Sequence, residues 1–216
     1  VTIQPIRIAG DPVLHTSTSE VVAFDADLKT LADDMFETMY ASGGVGLAAN
    51  QIGVGLRVFV YDCPDAEDNW HVGLVVNPRL TKSALPETLP DPDTDKEGCL
   101  SVPGESYPTR RAAFASVTGF DVDGREIEVH GDGTLARCFQ HETDHLDGRL
   151  YLDRLVGEQV DEAKVMIGAH GWGVPGHSWL PEPPDDTPRP VGRDVVIPGG
   201  RQRGPVATEP VRLPRT

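Results

Sequence analysis

A chain of 216 residues, 38% apolar and 25% charged, can bury one substantial core, and this balance speaks against a disordered or membrane-spanning protein. Its formal net charge of −15 opposes broad binding to nucleic-acid phosphates or anionic lipid, which an acidic surface repels. Three widely spaced cysteines, Cys63, Cys99 and Cys138, do not make a disulfide framework and suit reduced thiols used for packing or metal work.

Residues 1–7 have neither the basic start nor the apolar stretch of a secretory signal, and no apolar run reaches membrane-spanning length, so a cytoplasmic protein without a membrane partner is expected. From Asp25 apolar residues recur at spacings of three and four: Leu28, Leu31, Ala32, Met35, Phe36 and Met39. This predicts an amphipathic helix with Asp25 or Asp27 as N-cap and Gly43-Gly44 as its stop. The small apolar stretch 44–53 has the glycines of a dinucleotide fingerprint but follows a helix and precedes none, so a backbone that approaches a ligand closely is the better reading. Strands are expected over 56–61 and 72–77, with polar, proline-bearing loops between them and over 85–96. Another strand, 114–122, turns at Asp123-Gly124 into 127–130 as a hairpin. A second helix is expected over 134–147, ended by Gly148, with Leu135, Cys138, His141, Glu142 and His145 recurring on one side. Helices and strands do not alternate regularly, which favours an α+β fold.

Composition changes near the end. Residues 169–216 hold ten of the nineteen prolines, with seven glycines and six arginines, too many breakers for regular elements. One domain over 1–168 and a Pro/Gly/Arg-rich extension over 169–216 are therefore expected. Trp172 and Trp179 are costly to leave in water, which predicts that 168–181 packs on the domain and that the remainder is looser.

The strongest chemical signal is Gln140-His141-Glu142-Thr143-Asp144-His145. Residues four apart on a helix stack, so two imidazoles can face one point, while Glu142, turned by about 100°, can approach from the flank without ligating. A catalytic centre of this kind needs a third ligand. His170 and His177 lie in a glycine-rich segment without a supporting motif and are read as surface or packing residues. Cys99, in Glu97-Gly98-Cys99-Leu100-Ser101, is a candidate, although a lone cysteine taken by itself reads as a small buried hydrophobe.

Taken together, the three segments resemble the signatures of peptide deformylases: Gly-x-Gly-Leu-Ala-Ala-x-Gln at 44–51, Glu-Gly-Cys-Leu-Ser at 97–101 and Gln-His-Glu-x-Asp-His-Leu-x-Gly at 140–148, without a mismatch at a fixed position. Residues 5–7 and 10–14 also resemble the family, so the likeness spans about 3–167; the proline-rich end departs from it. The resemblance implies antiparallel sheets around a central metal-binding helix. It also implies one divalent metal on Cys99, His141 and His145, with Fe2+ resident and Zn2+, Ni2+ or Co2+ able to replace it. In the implied reaction Glu142 carries the proton, while Gln51 and the Leu100 backbone N–H stabilise the oxyanion. Gly44 and Gly46 are expected to pair with the peptide, and Val45, Leu100, Arg137, Cys138 and His141 to line the methionine pocket. Glu97 is expected to bond to Arg110 or Arg111 behind the ligands. The implied substrate is the N-formyl-Met end of nascent chains, with transient ribosome association and no specific DNA partner. Two other readings stand beside it. Cys138 lies three residues before His141, so Cys99, Cys138, His141 and His145 could close a structural Cys2His2 zinc site. The His-Glu-x-x-His core alone also fits a zinc peptidase.

Overall fold

The computed structural model describes residues 1–182. Nine strands and three α-helices are found among them: β1 (Ile6–Arg7), α1 (Ala26–Ala41), β2 (Gly46–Ala48), β3 (Val58–Pro64), β4 (Trp70–Lys82), β5 (Lys96–Cys99), β6 (Val102–Pro108), β7 (Phe114–Phe120), β8 (Glu126–Asp132), α2 (Gly133–Leu146), α3 (Gln159–His170) and β9 (Ser178–Trp179). No helix among them is long and apolar enough to cross a membrane.

The main sheet is antiparallel, in the order β2-β3-β4-β7-β8, and two ribbons, β5-β6 and β1-β9, complete the strands. Its period of two sorts side chains between two helices. Val58, Val60, Leu74 and Val76 share a core with Leu28, Met35, Phe36 and Met39 of α1, whereas Phe59, Tyr61, Val75 and Val117 pack with Leu135, Cys138 and Phe139 of α2. Because both faces are covered, β3 reads as a nearly continuous apolar run rather than an alternating one.

Both predicted helices form, each with a visible cause. Asp25 accepts hydrogen bonds from the backbone N–H of Asp27 and Leu28, the N-cap arrangement that satisfies two otherwise orphaned donors of α1. Helix α2 stops at Gly148, whose φ of 73° and close approach to the backbone of His15 and Thr16 leave no room for a Cβ. The fold is α+β, with antiparallel sheets against the central helix α2.

Several elements differ from expectation for local reasons. The strand expected over 72–77 runs on to Lys82, because a bulge between Val76 and Arg79 absorbs Pro78, which has no N–H to give the ladder. Asn77 sits there at φ 51°, its side-chain amide exchanging two hydrogen bonds with Val21. Helix α3 was not expected, since it buries only Ala163 and Met166. The expected domain boundary after Gly168 falls inside α3. Beyond it, β9 pairs antiparallel with β1, Ile6 opposite Trp179, and Ile8 N–H donates to the His177 carbonyl. The later part of the extension, 183–216, lies outside the described residues.

Candidate metal centre

Helix α2 is buried on nearly every side, from Leu135 to Leu146 with only Arg137 partly exposed. Enclosing a helix this way is costly unless its polar side chains find partners, and several here do. Gln140 exchanges two 2.9 Å hydrogen bonds with the backbone of Ala112, and Asp144 accepts from Arg111 at 2.6 Å and from Arg154 Nε at 3.0 Å. These ties hold the helix rigidly where its histidines meet the β5-β6 ribbon.

His141 and His145 lie one above the other as their spacing requires, edge to face with ring centroids 4.9 Å apart and Nε2 atoms 3.2 Å apart. Cys99 ends β5 and brings its Sγ to 3.1 Å from His145 Nε2. All three donor atoms lie within 4.8 Å of one another. Tetrahedral bonds of ~2.0–2.3 Å separate ligand atoms by roughly 3.3–3.7 Å, so one thiolate and two imidazoles at these distances fit a divalent metal with small adjustments.

The residues around the trio orient it. His141 Nδ1 lies 2.6 Å from Glu97 Oε1, and since an ionised carboxylate can only accept, the imidazole donates there and turns Nε2 toward Cys99 and His145. Glu97 also takes a bidentate pair from Arg111, at 2.6 and 2.9 Å, and a 3.1 Å bond from Arg137. Burial alone would raise the Glu97 pKa, but the hydrogen bonds from Arg111 and His141 outweigh it and hold the carboxyl well below the usual range. Gln51 is fixed by the Ala48 N–H, which donates to its Oε1 at 2.8 Å, and its Nε2 then points at Ser101 Oγ, 3.3 Å, and Cys99 Sγ, 3.7 Å. Glu142 is 3% exposed, its Oε2 meets no hydrogen-bond partner among the described residues, and burial pushes its carboxyl up to about 7.

A cleft of about 550 Å3 covers this centre, with residues 43–46 on one wall and the Cys99-Leu100 segment, Arg137, Cys138 and Trp179 around the remainder. Gly46 is needed where it stands, because a Cβ there would run into the Glu142 carboxylate and lie 2.8 Å from Cys138 Sγ. Gly46→Ala is therefore expected to displace Glu142 and to lower unfolding free energy by about 1–3 kcal/mol, as overpacking does, measured by denaturant titration.

The expected site residues are thus gathered unequally. Cys99, His141, His145, Glu142, Gln51 and Glu97 converge. Arg137 borders the cleft, yet its guanidinium is also engaged by Asp95, Thr109 and Glu97. Arg111 is buried against Glu97, whereas Arg110 reaches the Pro86 carbonyl instead. Cys138 lines the cleft with its Sγ 3.7 Å from the Val45 carbonyl and is not part of the donor trio. His170 stacks on Trp172 with centroids 4.2 Å apart, away from that trio. Sequence reasoning missed Ser101, Asp144, Arg154 and Trp179. Asp144 and Ser101 stand inside the motifs and could have been found there; nothing local marks Arg154.

A thiolate and two imidazoles beside a buried carboxylate define the class: a metal-dependent hydrolase. Comparison with known proteins narrows this. The family described as polypeptide deformylase matches residues 3–161. The peptide deformylase of Mycolicibacterium paratuberculosis is 59% identical over 193 residues, 86% of this chain and 98% of the relative. That of Mycobacterium marinum is 57% identical with the same coverage. Among solved structures, a peptide deformylase from Legionella pneumophila aligns with a TM-score of 0.68 at 37% identity, over 79% of this chain and 96% of the other. One from Ehrlichia chaffeensis, in complex with actinonin, aligns with a TM-score of 0.68 at 33% identity, over 79% and 98%. The chain belongs to the polypeptide deformylase family, hydrolases that remove a formyl group.

Proposed function

We propose that this chain removes the formyl group from the N-terminal formyl-methionine of new polypeptides, releasing formate, with one divalent metal on Cys99, His141 and His145. The observation that carries this reading is the convergence of those three donors beside buried Glu142. Thiolate and imidazole donors suit Fe2+, Co2+, Ni2+ and Zn2+. We take Fe2+ as the resident ion, with Zn2+, Ni2+ or Co2+ able to stand in its place. When bound, the ion supplies Lewis acidity toward water and the formyl oxygen.

The other steps belong to the protein. Glu142 accepts the proton of the attacking water and returns it to the departing amine, a task suited to a carboxyl whose burial raises its pKa. As the formyl oxygen gains charge, the Leu100 backbone N–H and Gln51 Nε2 donate to it, and the Ala48 N–H holds Gln51 at its other end. Strand β2 lies at the edge of the main sheet and borders the cleft, so the backbone of Gly44 and Gly46 can pair with an extended peptide as an added strand. Val45, Leu100, Arg137, Cys138 and His141 surround the first side chain. Glu97 and Arg111 hold His141 in place.

The catalytic unit begins with the domain at 1–168 and takes in the early part of the 169–216 extension, through β9. The protein works in the cytoplasm on chains leaving the ribosome, with transient ribosome contact and no specific DNA partner.

The test uses anaerobically purified protein with a formyl-Met peptide, its acetylated counterpart and the unblocked peptide. Formate from the first alone, with no backbone cleavage and iron in the same sample, is expected. Cleavage of internal bonds would favour the peptidase reading, and tightly held zinc without iron would overturn the assigned metal.

A further inference from the structure

We propose that Trp179, on the segment after α3, is a positioning residue for the active centre: its indole N–H sets the orientation of the Leu100-Ser101 peptide and so the hydrogen bond that this peptide gives the Cys99 thiolate. The inference rests on the reading of Cys99 as a metal ligand and Leu100 as an oxyanion donor.

Leu100 and Ser101 form the two-residue turn between β5 and β6, closed by the pairing of Cys99 with Val102. The peptide between the two central residues of such a turn is the unit that inverts between turn types, and inversion needs a positive φ at the second of them. Neither central residue has a positive φ, so the backbone favours the present sense of this peptide but leaves the tilt of its plane free to adjust. Two hydrogen bonds fix that tilt. Trp179 Nε1 donates to the Leu100 carbonyl at 2.9 Å, and on the same peptide plane Ser101 N–H donates to Cys99 Sγ at 3.3 Å. A trans peptide is planar, with its carbonyl and N–H pointing opposite ways, so holding one end aims the other.

The segment that delivers the indole is itself tied down at independent points. β9 pairs with β1, and Ile8 N–H donates to the His177 carbonyl. The Trp172–Val174 backbone lies so close to Gly10 that a Cβ there would overlap it. Trp179 also packs between the core under α1 and the one around Tyr151, and it borders the cleft. A residue that only walled the cleft could be any large hydrophobe; the hydrogen bond to Leu100 requires the N–H.

The experiment removes the N–H and keeps the shape. Trp179 is replaced at that one site by 3-benzothienylalanine, whose sulfur stands where the indole nitrogen was, beside a Trp179→Phe variant. Each protein is loaded with Co2+, and three quantities are read: the thiolate-to-cobalt absorption band, the melting temperature, and kcat and KM on a formyl-Met peptide. In the isostere the melting temperature stays near that of the unaltered protein, kcat falls by about tenfold or more with little change in KM, as a misplaced catalytic group produces, and the band moves to longer wavelength because the thiolate loses a hydrogen bond. An unchanged band with unchanged kcat overturns the proposal, as does a change in KM alone. Loss of melting temperature and kcat in Trp179→Phe while the isostere keeps both would make Trp179 a packing residue only. Absence of deformylation in the unaltered protein would instead overturn the proposed function, and the band shift would still decide the hydrogen bond.

Discussion

Glu142→Ala is expected to retain its metal and to lose turnover by about 10²–10⁴-fold, the range ascribed to a well-placed general acid–base group. The side chain is buried next to the donor trio, and one oxygen has no partner among the described residues, so little of the surrounding structure depends on it. On the proposed mechanism, removing it takes away the proton carrier and no ligand. Metal content and kcat on the same preparation check this together. A variant that loses its ion would assign Glu142 to coordination, and one that keeps its turnover would remove it from the reaction.

Arg111→Met should have the largest effect on stability. The guanidinium is buried between two carboxylates, at 2.6 Å from Glu97 Oε1 and 2.6 Å from Asp144 Oδ2, with side-chain exposures of 5%, 4% and 8%. Its removal leaves Glu97 to Arg137 and His141, and Asp144 to Arg154. Breaking a buried pair from one side typically costs about 3–5 kcal/mol, here a fall in melting temperature of roughly 10 °C. The effect has a definite pH dependence. Glu97 is held below its usual pKa in the folded chain, so the stability that Arg111 confers is fully present above the ordinary carboxyl pKa of about 4.3 and is lost as pH falls toward the folded value. The difference in melting temperature between the unaltered protein and Arg111→Met should therefore be largest near neutrality and shrink below pH of about 4. A difference that grows on acidification would contradict the assignment.

Parts of this molecule are legible in the sequence because their causes are local. Helix α2 announces itself by the four-residue spacing of His141 and His145 and by the stop at Gly148; α1 does so by its apolar stripe and Asp25. The position of Cys99 has no such signal. It lies 46 residues from His145, in a strand containing a glycine and facing a partner that contains two prolines, and only the register of β5 on β6 delivers it. Spacing could not choose it over the other cysteines, and the likeness to a family did. For the same reason Arg110 and Arg111 were not separable from sequence: burial against Glu97 distinguishes them, and burial is a property of the assembled fold. The continuation of β4 past Pro78 depended on a bulge, and α3 on a contact surface of two buried side chains, neither of which leaves a periodic trace. Trp179 was expected to seek cover, but its hydrogen bond to Leu100 arises from the pairing of β9 with β1, at the opposite end of the chain.

In the proposed centre one sulfur and two imidazoles meet at a single ion. X-ray absorption by the zinc-loaded protein measures this directly. One sulfur at ~2.3 Å with the remaining scatterers nitrogen or oxygen at ~2.0–2.1 Å is the expected result. Two sulfurs, which would bring Cys138 into a closed structural site, or none, would contradict it.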